Sequence, residues 1–160
     1  MHTFETKPAI VLFMMISLLW SGTTYAQVVS SGPHTVGGFI GFTDRADADF
    51  TFGAEYEYDM QGPWSAGALV EQTPDVILGR DFTVLLGTLH YRPQTLSRLK
   101  LTGGAGVEFK DVVGDDIRVR AGAGYDLFIE GPFTVTPRIA VDFGDGDENI
   151  VLGVSLLYGF

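Results

Sequence analysis

FTFGAEYEYD (residues 50–59) sorts its side chains by parity: Phe50, Phe52, Ala54, Tyr56 and Tyr58 alternate with Thr51, Gly53, Glu55, Glu57 and Asp59. Successive side chains of an extended chain point to opposite faces, so the segment predicts a strand whose two faces require different solvents. IRVRAGAGYDL (residues 117–127) repeats the division, with Ile117, Val119, Ala121, Ala123, Tyr125 and Leu127 opposed to Arg118, Arg120, Gly122, Gly124 and Asp126. Working outward from these two stretches, period-2 alternation predicts eight strands, near 34–43, 49–60, 64–72, 81–92, 99–110, 116–128, 133–143 and 150–160.

The connections differ in character. QGP (61–63), the segment 93–98 and EGP (130–132) form a set of mostly short turns. DRADAD (44–49), TPDVILGR (73–80), DVVGDD (111–116) and GDGDEN (144–149) are longer and strongly acidic. An even number of strands joined in this way closes an antiparallel up-and-down sheet with both ends of the chain on one side.

Alternation fits two architectures. In a soluble barrel or sandwich the apolar face is inside. In a transmembrane barrel it meets lipid, and closure leaves no backbone hydrogen bond open in the hydrocarbon. Two features of the strands choose the second. The polar face is rich in small residues, among them Gly37, Gly41, Gly53, Gly67, Gly104, Gly106, Gly122, Gly124, Gly153 and Gly159, and a narrow barrel interior needs them as room for large charged neighbours. The apolar face carries aromatics near the strand ends: Tyr58, Trp64, Tyr91, Phe133, Tyr158 and Phe160 at one rim, Phe42, Phe50, Phe109 and Phe143 at the other. Two aromatic girdles match two membrane interfaces. The expected fold is an all-β, eight-stranded antiparallel transmembrane β-barrel over residues 27–160.

The first 26 residues predict export. Lys7 precedes the apolar run AIVLFMMISLLW (9–20), and small Ala26 follows at the expected cleavage point, the order of a secretory signal peptide. The run is short of the roughly 20 apolar residues of a spanning helix. A chain of 160 residues has room for one domain, and the absence of cysteine excludes disulfides and thiolate metal sites. The net charge of −10 disfavours nucleic acid as a partner.

These residues resemble the small eight-stranded outer-membrane β-barrel proteins of Gram-negative bacteria, of the OmpA membrane-domain and OmpX type. The resemblance spans nearly all of 27–160 and is most specific in IVLGVSLLYGF (150–160), where Ile150, Leu152, Val154, Leu156, Tyr158 and Phe160 alternate to an aromatic end. It implies a bacterial outer-membrane location, contact with membrane lipid and lipopolysaccharide, a monomer, and a C-terminal signal of Leu156, Tyr158 and Phe160 read by the barrel-assembly machinery. Deleting Phe160 is expected to impair insertion more than intrinsic stability.

With the apolar face toward lipid, the interior receives Glu55, Glu57, Glu71, His90, Arg92, Lys100, Glu108, Arg118, Arg120, Asp126, Arg138 and Asp142. Six acids, five bases and one histidine nearly balance, and buried charges persist only when paired, so the expectation is a closed ion-pair network in a plugged lumen. Glu108, Arg118, Arg120 and Asp142 are expected together toward the long-loop end.

The same residues admit an acid/base or metal reading through Glu55, Glu57, Glu71 and His90, outweighed by structural pairing in a narrow lumen. Lipid A deacylase barrels resemble a His-x-Ser pair with a carboxylate, whereas this strand reads His90-Tyr91-Arg92, so the leading reading is non-enzymatic, with no cofactor. In the long loops eleven acids face three bases. Asp145, Asp147 and Glu148 are the candidate divalent-cation ligands, without the spacing of a twelve-residue calcium loop. The function expected is a structural or interaction role with acidic extracellular loops. A lipid A-modifying barrel enzyme and a soluble lipocalin-like carrier, which requires the faces inverted, are the alternatives.

Overall fold

The computed structural model describes residues 32–44, 48–75, 80–110, 114–128, 131–144 and 147–160. The expected signal peptide, 1–26, lies outside them. Eight strands follow one another: β1 (His34–Asp44), β2 (Ala48–Asp59), β3 (Trp64–Asp75), β4 (Arg80–Tyr91), β5 (Leu99–Lys110), β6 (Asp116–Tyr125, continued past Asp126 by Leu127–Phe128), β7 (Phe133–Gly144) and β8 (Asp147–Gly159). Each pairs antiparallel with the next, and β1 pairs with β8 from Thr35 opposite Gly159 to Asp44 opposite Ile150. The sheet therefore closes into an up-and-down barrel and keeps no free edge.

The faces divide as the parity of FTFGAEYEYD demands. Phe50, Phe52, Tyr56 and Tyr58 are exposed, while Thr51 and Glu57 are buried; on β6 Ile117 is 74% exposed beside Arg118 at 2%. At the short-turn rim outward rings meet across strands, Trp64 with Tyr91 at 4.7 Å and Phe133 with Tyr158 at 5.2 Å between centroids, and at the other rim Phe42 meets Phe50 at 6.0 Å. At the β1–β8 closure His34 stacks on Phe160 at 5.6 Å, and the Phe160 amide donates to the His34 carbonyl.

Three details differ from the sequence expectation. First, two long connections are shorter than 73–80 and 144–149, because strand pairing continues into them. Asp75 pairs with Arg80, and Gly144 pairs with Asp147 so that only Asp145 and Gly146 intervene. Second, the sixth strand is interrupted. Its pairing with β7 runs from Val119 opposite Phe143 to Gly124 opposite Arg138 and resumes at Leu127 opposite Val135. Carried through, that register sets Tyr125 opposite Pro137, which has no N–H to give to the ladder. On its other side Pro137 stays in continuous register with β8, opposite Val154.

Third, the interior is not wholly polar. Phe39, Ala140 and Val151 form one buried apolar cluster, and Leu69, Val84 and Leu86 another. Some inward glycines make room for these and not for charges. A β-carbon on Gly153 would strike the Phe39 ring and the Ile40 carbonyl, and one on Gly41 would meet the same ring. Gly104 and Gly124 do lie against charged neighbours, the Cβ atoms of Arg120 and Arg138 respectively.

Candidate functional site

Every inward charge named by parity has a described position, and the side chains fall into three groups along the lumen. At the short-turn end, Arg92, just beyond β4, is clamped on three sides. Its Nη1 donates to Glu57 Oε1 at 2.5 Å and to Ser65 Oγ at 3.1 Å, and its Nε donates to Asp126 Oδ2 at 3.0 Å. Ser65 Oγ donates to Glu57 Oε1 at 2.5 Å, and Lys100 Nζ reaches Glu57 Oε2 at 3.4 Å. The other oxygen of Asp126 accepts from Thr136 Oγ1 at 2.8 Å. Asp126 sits opposite Thr136 where Pro137 breaks the β6–β7 ladder, so a side-chain bond staples the seam that lacks a backbone one.

At mid-lumen the bonds cross the barrel. Arg120 of β6 forks onto Glu71 of β3, with Nη1 to Oε1 at 2.8 Å and Nη2 to Oε2 at 2.6 Å. Its Nε also donates to Asp142 Oδ1 at 2.5 Å and its Nη2 to Oδ2 at 2.6 Å. Arg138 of β7 donates to Glu71 Oε1 at 2.8 Å and to Glu55 Oε2 of β2 at 2.9 Å, with its guanidinium carbon 3.7 Å from the centre of the Phe39 ring. Paired planar forks of this kind are the strong form of the carboxylate–guanidinium bond. Phe39 was absent from the sequence reading of the site; its parity with Gly37 and Gly41 was the available signal.

At the long-loop end, Arg118 donates to Glu108 through Nε at 2.7 Å and Nη2 at 2.5 Å, and Lys110 joins Glu108 to Asp116. The sequence grouped Arg120 and Asp142 with this pair. The structure keeps Arg120 on Asp142, opposite it on β7, but joins that pair to Glu71 of β3 across the lumen rather than to Glu108 of β5.

His90 bonds to neither serine nor carboxylate. Its Nδ1 lies 2.9 Å from Thr102 Oγ1 and its Nε2 3.1 Å from Thr88 Oγ1. Among the described residues no group of three or more His, Asp or Glu side chains is placed to hold a metal ion. Of the three cation candidates, Glu148 is exposed on β8 opposite Phe143, while Asp145 and the side chain of Asp147 lie outside what the structure describes. A vestibule of about 490 Å³ opens at the short-turn end over Glu57, Arg92 and Asp126, rimmed by Asp59, Trp64 and Leu157. Beyond it the arginine forks cross the lumen.

Apolar residues outside and ion pairs spanning the inside identify the architecture. The fold is that of the small outer-membrane β-barrels. It is similar to Neisserial surface protein A, with a TM-score of 0.61 at 9% identity over 79% of this chain and 96% of that one. It is also similar to the N-terminal β-barrel domain of Pseudomonas aeruginosa OprF, with a TM-score of 0.54 at 13% identity over 79% and 97%. The outer membrane enzyme PagL gives 0.53 at 14% identity over 79% and 99%. No family model and no curated protein matches the chain. At these identities the likeness is one of fold.

Proposed function

We propose that this chain is a bacterial outer-membrane protein of the structural or interaction kind, a plugged barrel that holds its loops at the outer surface. One observation carries the reading: the two guanidinium groups of Arg120 and Arg138 tie β3, β2, β6 and β7 together across the lumen. An interior cross-braced in this way serves rigidity, and leaves the variable work to the loop end. Membrane lipid and lipopolysaccharide would bathe the apolar wall, the barrel-assembly machinery would insert it, and a monomer suffices because the closed sheet offers no edge.

The soluble-carrier alternative requires charges outside and an apolar lumen, opposite to the burial of Glu57 and Arg118 and the exposure of Tyr56 and Ile117. The enzyme alternative finds support in the likeness to PagL, and opposition in His90, whose ring nitrogens both face threonine hydroxyls. Membrane fractionation and gel migration before and after boiling test location and fold together. The reading expects a detergent-extracted band that shifts on heating; a soluble periplasmic protein would sink it. Mass spectrometry of lipid A after overexpression tests the enzyme: unchanged lipid A is expected, and an acyl-group loss or gain would replace the structural reading.

A further inference from the structure

Between the short-turn and mid-lumen groups lies a small cavity of about 20 Å³, lined among others by Glu55, His90, Lys100, Thr102 and Arg138. Two of these carry unmet hydrogen-bonding capacity. Glu55 uses Oε2 on Arg138, while its Oε1, on a side chain 9% exposed, makes no hydrogen bond of ordinary geometry, and the Ser155 hydroxyl beside the carboxylate is likewise buried and unbonded. Lys100, 3% exposed, makes a single long hydrogen bond of 3.4 Å to Glu57, though an ammonium carries three donors. A buried carboxylate oxygen and a buried ammonium left this way are each unfavourable by more than an ordinary neutral group.

We infer that this void is a binding site for one ordered water molecule, which accepts from Lys100 Nζ and donates to Glu55 Oε1. The volume exceeds the roughly 10–15 Å³ that a single water requires, and the site offers both a donor and an acceptor. The charges decide against an ion. A cation would sit against Lys100 and Arg138, an anion against the Oε1 of Glu55. Both nitrogens of His90 are engaged with threonine, so the ring forms a wall of the site and is not a ligand. The bridging water joins Lys100, and through it Glu57, Arg92 and Asp126, to Glu55, Arg138, Glu71, Arg120 and Asp142. Two ion-pair groups become one continuous plug.

The refolded chain, crystallised in detergent from sodium bromide, tests this. The expected result is one peak within hydrogen-bonding distance of both Lys100 Nζ and Glu55 Oε1, with no bromide anomalous signal, lost in Lys100→Met while the Arg138–Glu55 pair remains. An anomalous peak in the void, a direct Lys100–Glu55 contact that closes it, a Ser155 hydroxyl bonded to Glu55 Oε1 with no peak beside it, or a peak unmoved by Lys100→Met overturns the inference. Should Lys100→Met not fold, magnetisation transfer from water to Thr88 and Thr102 in the unmodified protein in micelles decides the matter. Cross-peaks at long-lived-water sign support the site, and none at either threonine rejects it.

Discussion

Arg92 and Arg120 are both inward guanidinium groups held by two carboxylates each, yet they stand in different solvents. The Arg120 side chain is 3% exposed and lies across the barrel; that of Arg92 is 28% exposed and borders the vestibule. An ion pair cut off from water leaves an uncompensated charge when one partner is removed, whereas at the vestibule water can reoccupy the place. The same chemistry should therefore act as a keystone at mid-lumen and as a lesser brace at the turn end.

That contrast can be broken most directly at the keystone. Arg120→Ala removes the guanidinium that holds buried Asp142 and leaves Glu71 with Arg138 alone, and is expected to lower unfolding free energy by about 3–5 kcal/mol, read from urea titration in lipid vesicles. Arg118→Ala leaves Glu108, which is fully buried and retains Lys110 at 3.7 Å, so a smaller loss of about 2–3 kcal/mol and a lowered melting temperature in detergent are expected. Arg92→Ala should fall below both, about 1–2 kcal/mol, because water in the vestibule resolvates Glu57 and Asp126. If Arg92→Ala matches or exceeds Arg120→Ala, the distinction between the two regions fails.

Two finer tests sharpen the picture. Thr136→Val keeps shape but removes the bond to Asp126 at the proline gap, and should cost about 1 kcal/mol. Its marker is local: faster hydrogen exchange at the Leu127 and Val135 amides than at the β7–β8 seam, and uniform exchange would show that the staple does nothing. The second test is a paired one. Gly153→Ala forces a β-carbon into Phe39 and should destabilise by about 1–3 kcal/mol, while Gly103→Ala, with nothing within 4 Å of the new atom, should lie within about 0.5 kcal/mol of the parent. Equal effects would mean that the inward glycines are not packing devices.

Much of this was legible from local sequence. Parity placed Glu57, Glu71, Lys100, Arg118 and Arg120 on one face, and that face is where they are buried. Pairings across the lumen were not legible. Glu71 and Arg120 are 49 residues apart and Glu55 and Arg138 are 83 apart, and nothing in either neighbourhood names the other. Grouping Arg120 with Asp142, its neighbour across the β6–β7 seam, held, but the same guanidinium also reaches Glu71 on the opposite wall, a contact that exists only in a tube. Phe39 was passed over for the same reason, since an inward aromatic is anomalous in a polar lumen until Gly41 and Gly153 are seen to meet at its ring.

The amino-acid sequence by itself determined the number of strands and which face of each points out of the barrel, because a period of two is a property of every extended chain and needs no partner to express it. Closure decided the rest: which carboxylate each arginine holds, where the β6–β7 ladder fails opposite Pro137, and how the void between Lys100 and Glu55 arises. Those depend on register and on the width of the tube, quantities that exist only once β1 has paired with β8.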